Sequence, residues 1–434
     1  MTKVSQHYEN ISVSGSFAIK DGSQSTGRIL TSNSTGRGTW SDQSILTGGT
    51  GGVSAITIAN TVFVSKNGSD STGVVERLDL PFSSITAATT AALAYYTGGT
   101  APSATNRILI KVFSGNYTER IVLRNYVDYD LTNCILDLQS GANYTIDDNN
   151  VACNSIIYGN ATIKRSTAGT LGCVRTQHSA TTLNLNANNI IDTVGGGVVC
   201  TNGTQNINCL TISSSAGIGA YAVSGIQNIN CLTISSSISY GALCTNARQT
   251  IHSDISSTYI DYGVGLDGTG TQIIYGNISS ANATAAGCAG SGTQTIYGNI
   301  DAPTGDSNNA AAGASSGIQT VYGNCSAYGP SVANLGGTQY IHGDCLTNGG
   351  SSTVYVAGGT THVLNSRLTN TNSNEVCYQV GGVLSITNCT LLTNGAASVA
   401  AGSTIKVYGT CQANKTASGA TQQVGAIIVS TNVV

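Results

Sequence analysis

Five aspartates crowd one short stretch of the chain: Asp128, Asp130, Asp137, Asp147 and Asp148. Carboxylates grouped on one surface can do acid–base chemistry. Glycoside hydrolysis needs two of them, set a few ångströms apart across the scissile bond. The same residues also cap turns, and capping is the expectation here. Asp254 and Asp344 hold one slot of a repeating pattern, four copies apart. At the ~4.8 Å spacing of stacked strands that is about 19 Å, too wide for either glycosidase geometry. His178, His252, His342 and His362 stand singly, with no nucleophile at a spacing that suggests a triad. No motif for a metal, a phosphate or a cofactor is present, so none is expected.

A second set of residues offers recognition rather than reaction. His252, Tyr275, Tyr297, Tyr322 and His342 fall in one slot of the repeat. Rings stacked every ~4.8 Å along an outer face can grip sugar rings, bind a neighbouring subunit, or only strengthen stacking. Asn277, Asn299 and Asn324 sit beside them, where amide ladders are expected.

The repeat that positions both sets is plain when copies are anchored on Gln205, Gln227, Gln249, Gln272, Gln294, Gln319 and Gln339, with gaps of 22, 22, 23, 22, 25 and 20 residues. Weaker copies extend it to His362, Leu384 and Ile405, and back to Thr181, Ser155 and Tyr129. Two residues after the anchor stand Ile207, Ile229, Ile251, Ile274, Ile296, Val321 and Ile341. Four after it the residues are small (Cys209, Cys231, Ser253, Gly276, Gly298, Gly323, Gly343), and six after it they are large again, as at Ile278 and Ile300. A period of two means a strand with one face inside. Pieces such as "GALCTNA" supply a second strand, so each coil holds at least two. A repeat this short, all β and without leucine-rich slots, predicts an all-β fold: a parallel β-helix of about 13–14 coils, about 60–70 Å long at the inter-strand spacing. No coil buries its own apolar face, so similar residues must recur level by level.

Composition agrees. Charged residues are 9% of the 434, Gly is 54 and the net charge is −3. No basic stripe marks a nucleic-acid surface. No apolar run is long enough to span a bilayer as a helix, and "MTKVSQHYENISVSG" lacks a signal-peptide core, so synthesis in a cytoplasm is the expectation. The 13 cysteines form no C-x-x-C pair. Cys209 with Cys231, and Cys325 with Cys345, share inner columns and read as small buried residues.

The chain divides into an N-terminal attachment or trimerisation region with linker (1–60), the opening of the β-helix (61–106), the β-helix body (107–411) and a C-terminal strand or cap (412–434). The one predicted helix runs from Ser84 to Thr97, with Ile85, Ala88, Ala92 and Tyr95 on one face and Gly98-Gly99 as the stop. Pro81, Phe82, Ile85, Ala87 and Ala88, followed by Val112, Gly115, Tyr117 and Glu119, resemble the opening of right-handed parallel β-helix proteins of the pectin-lyase-like superfamily. The resemblance implies a capping helix over the first coil, with Tyr117 and Glu119 packing in the cap. Gly27, Leu30, Thr31, Ser32, Gly36 and Trp40 look like a stretch of phage and other viral tail-fibre proteins. Together these imply a structural and adhesive virion fibre or spike. Such a protein would be made in a host cytoplasm without a signal peptide and act outside the cell. Its expected partners are two more copies of itself, other virion proteins and a host-surface polysaccharide, with no nucleic acid and no membrane. Two alternatives remain open: a tail spike that cuts polysaccharide at a site between subunits, and a subunit of a self-assembling extracellular filament.

Overall fold

The structure is a computed structural model. It describes residues 28–32, 38–42, 58–96, 101–139, 143–166, 171–258, 262–304, 309–394, 399–401, 405–415, 421–423 and 426–429. Two compact units divide the chain. In the first, strands Arg28–Ser32 and Gly38–Asp42 pair antiparallel, with Leu30 opposite Trp40. The rest of the proposed attachment region and its linker up to residue 57, and residues 416–420, 424–425 and 430–434 of the C-terminal strand or cap, lie outside the described residues.

The second unit is an all-β parallel solenoid of about 13 turns. Most coils carry three short strands rather than the two that the repeat shows most clearly. In one coil they are Thr271–Ile274, Ile278–Ser280 and Ala286–Cys288; in the next, Thr293–Ile296, Ile300–Ala302 and Ala312–Ala314. Each pairs in parallel with its counterpart one coil on: Ile274 with Ile296, Ile278 with Ile300, Ala286 with Ala312. These stacks form the first, second and third faces. Ile207, Ile229, Ile251, Ile274 and Ile296 are buried on the first face, Ile234, Ile255, Ile278 and Ile300 on the second. Burying each such side chain stabilises by about 1.5–3 kcal/mol.

The column of small residues is not the middle of one strand. From Gly276 on it is the corner between the first and second faces. A Cβ on Gly276 would lie 1.7 Å from the Ser253 carbonyl oxygen, and one on Gly298 would lie 1.9 Å from that of Gly276. Successive coils touch backbone to backbone there, so only glycine fits. The two coils before it round the same corner without a break: Ile226–Ser236 and Arg248–Ser257 are continuous strands whose pairing shifts register between Asn230 and Thr233.

The helix runs Ile85–Tyr95 and packs on strands Thr61–Val64 and Ile108–Val112. Ser84 caps it by accepting from the Ala87 N–H. Its buried face is Ile85, Ala88, Thr89 and Ala92; Tyr95 is exposed, and Tyr96 fills the place expected for it. Glu119 accepts from the Ile85 and Thr86 N–H groups at 2.9 and 2.8 Å, so its carboxylate satisfies the orphan donors of the first turn. Asp70 accepts from the N–H groups of Ser83 and Ser84. Burial works to raise its carboxyl, but those bonds outweigh it and hold the group below its usual range. Tyr117 is buried and donates to the Phe113 carbonyl at 2.9 Å.

Candidate functional site

The aspartates of the first coils do not converge on a groove. Each is taken up by a partner. Arg107 grips Asp128 through two bonds of 2.6 and 2.5 Å. Lys111 pairs with Asp130, its register partner one coil on. Burial pushes the Asp130 carboxyl up, but the bonds from Lys111 and Thr132 pull it below the usual carboxylate range. Lys164 faces Asp137 at 3.7 Å, again as register partners. Arg175 bonds Asp147 at 3.0 and 2.8 Å, and Arg120 approaches the same carboxylate at 3.5 Å. Asp148 accepts from the backbone of Gln177 and His178 and from the Thr181 hydroxyl. These carboxylates tie coil to coil and cap turns.

The aromatic slot forms a continuous exposed stack. Ring centroids are 4.3 Å apart for His252 and Tyr275, 4.8 Å for Tyr275 and Tyr297, 5.0 Å for Tyr297 and Tyr322, and 4.9 Å for Tyr322 and His342. Interplanar angles stay between 2° and 14°. Tyr275, Tyr297 and Tyr322 are 47%, 48% and 48% exposed. The parallel register sets this spacing, and from Tyr275 on the glycine corner directly after each ring leaves no side chain to crowd it. A second stack that sequence reading missed, Tyr340 on His362 at 5.0 Å, begins on the strand that leads to His342. Tyr340 and His342 are two residues apart, so the aromatic stripe continues with a sideways step.

Beside the rings runs a polar rail. The side-chain oxygen of each residue accepts from the backbone N–H one coil on: Asp254 from Asn277, Asn277 from Asn299, Asn299 from Asn324, Asn324 from Asp344 and Asp344 from Arg367, all at 2.7–3.0 Å. The expected amide-to-amide ladder is instead found earlier, where Asn228 donates to Asn206 and Asn206 to Asn184, each at 2.8 Å. The anchor glutamines hold a third ladder, inside the solenoid. Gln205, Gln227, Gln249, Gln272, Gln294, Gln319 and Gln339 are fully buried, and each from Gln227 on donates to the Oε1 of the one before. Most also reach a third-face carbonyl, such as Leu243, Gly287 or Ala286, so the ladder laces two faces together. Their place in the register made them inward; their polarity hid it.

The 13 cysteines are free, and all but Cys209 are buried. Cys325 and Cys345 are direct register partners. Burial raises the thiols of Cys134, Cys153, Cys244 and Cys288 to about 11.

No family model, no curated protein and no solved structure matches this chain.

Proposed function

We propose that the protein is a structural and adhesive fibre or spike component that meets a host-surface polysaccharide through its aromatic stripe. The exposed stack from His252 to His342 carries this reading. Flat rings at near 5 Å intervals, rimmed by amides and carboxylates, match a sugar chain's alternation of apolar C–H faces and hydroxyl edges. The solenoid is a suitable arm for such a surface: its interior is locked by stacked isoleucines and an amide ladder, and its coils contact only their neighbours. In this reading residues 1–60 join the arm to a virus particle, and three copies assemble side by side.

The test mixes the full chain with capsular and cell-wall polysaccharides and follows binding together with new reducing ends and unsaturated products. Binding without cleavage, lost when Tyr275, Tyr297 and Tyr322 become alanine, is the expected result. Cleavage would replace adhesion with depolymerisation, and binding unaffected by the three substitutions would remove the stripe from the site.

A further inference from the structure

The third face carries a different aromatic arrangement. Its outward column reads Leu243, Gly265, Gly287, Gly313, Ala333 and Tyr355 in successive coils. Just before each strand comes a second column: Tyr240, Tyr262, Thr284, Ala310. The first two rings lean over the glycine of the following coil. A Cβ on Gly265 would come within 2.6 Å of the Tyr240 ring, and one on Gly287 within 2.4 Å of the Tyr262 ring. Glycine is required there because tyrosine already fills the space. At Gly313 the overlying residue is Thr284, whose methyl stands 3.3 Å from the same point. The glycine is kept and the ring is missing.

The result is a recess of about 470 Å³, floored by Gly313 and Ala333, walled by Tyr262 and Tyr355, and flanked by Thr284 and Leu335. That volume lies within the ~300–1,000 Å³ range of small-molecule sites. Ser315 and Ser351 complete the polar part of its edge. No charged side chain is among its described lining residues.

We propose that this recess binds the pyranose ring of a neutral sugar. The two preceding coils show the outline: a six-membered ring laid against a glycine backbone. An apolar floor between tyrosine walls suits a sugar's C–H face, hydroxyls of Thr284, Ser315 and Ser351 can pair with its O–H groups, and the lack of charge excludes an acidic or basic ligand. The recess lies on a different face from the stripe, and the proposal stands even where the stripe serves only to stack coils.

Saturation-transfer NMR on the full chain, with methyl pyranosides of glucose, galactose and N-acetylglucosamine as probes, tests it. Thr284→Tyr copies the residue found in the two coils before and fills the recess; Ala333→Tyr copies the residue one coil on. Saturation of ring protons of at least one probe is expected in the unaltered protein and in the Tyr275→Ala/Tyr297→Ala/Tyr322→Ala variant. It should vanish in both filled variants while their melting stays unchanged. Should a filled variant melt early, Tyr355→Ala, which removes a wall and keeps the floor, must lose the same signal. No saturation of any probe, or saturation that survives filling, overturns the proposal. Self-association that Thr284→Tyr abolishes would also overturn it, and would give the recess to an aromatic side chain of a second copy.

Discussion

The side-chain amide of Gln272 donates to Oε1 of Gln249 across 2.7 Å, between two residues with no exposed surface. Buried amides are costly unless bonded on every side, and this pair is one rung of a ladder that meets that demand by repetition. Gln294→Leu therefore orphans Oε1 of Gln272 and an N–H of Gln319, and takes one donor from the Gly287 carbonyl. Each orphan costs about 1–3 kcal/mol. Gln205→Leu, at the end of the ladder, orphans one N–H of Gln227 and takes one donor from the Val199 carbonyl. Unfolding midpoints should fall more for Gln294→Leu than for Gln205→Leu. Equal loss would mean that the rungs act independently of their neighbours.

That ladder marks where the sequence was legible and where it was not. The 22-residue spacing and the isoleucines two places after each glutamine are visible as letters, and so is the aromatic slot that becomes the exposed stack. The parity that turns Ile274 inward turns Gln272 inward too, but a glutamine reads as a surface residue until its partner, one coil away, supplies the bond. The corner at Gly276 was hidden for another reason: it keeps the period of two while the chain changes face. Third-face strands such as Ala242–Cys244 span three residues, too few to display a period.

Gly298→Ala tests the corner. The new methyl would fall 1.9 Å from the Gly276 carbonyl oxygen, against backbone that cannot rotate away. Overpacking of this kind costs about 1–3 kcal/mol, and more where backbone must move. Gly350→Ala, with nothing within 4 Å, is the control and should melt like the unaltered protein. Similar melting of the two variants would show that the corners are looser than the packing implies.

Asp192 gives a pH dependence of defined sign. Burial raises its carboxyl above the ordinary range, against the pull of bonds from the Val194 and Gly195 N–H groups, the Arg165 charge and the Cys173 thiol. The folded state therefore binds a proton more tightly than the unfolded chain. Asp192 lowers stability at neutral pH, and this cost fades as pH falls from the raised folded value toward about 3.9, the unfolded value. Asp192→Asn keeps an acceptor for Val194 and Gly195 and removes the charge. Melting at pH 7 should rise, and its margin over the unaltered protein should shrink between pH 7 and 4. A margin that grows on acidification would reverse the assignment.

Tyr297 separates stacking from recognition in the stripe. Its ring meets Tyr275 on one side and Tyr322 on the other, at 4.8 and 5.0 Å. Aromatic contacts are worth about 0.5–1.5 kcal/mol each beyond burial, so Tyr297→Ala should destabilise by about 1–3 kcal/mol whatever the stripe binds. Tyr297→Phe keeps both contacts and loses only the hydroxyl. If the stripe holds sugar by its ring faces, the phenylalanine variant binds polysaccharide as the unaltered protein does, while the alanine variant, assayed well below its melting temperature, binds at least several-fold more weakly. Unchanged binding in the alanine variant would leave the stack a device for holding coils together. Loss in the phenylalanine variant would move recognition from the ring faces to the row of phenolic hydroxyls.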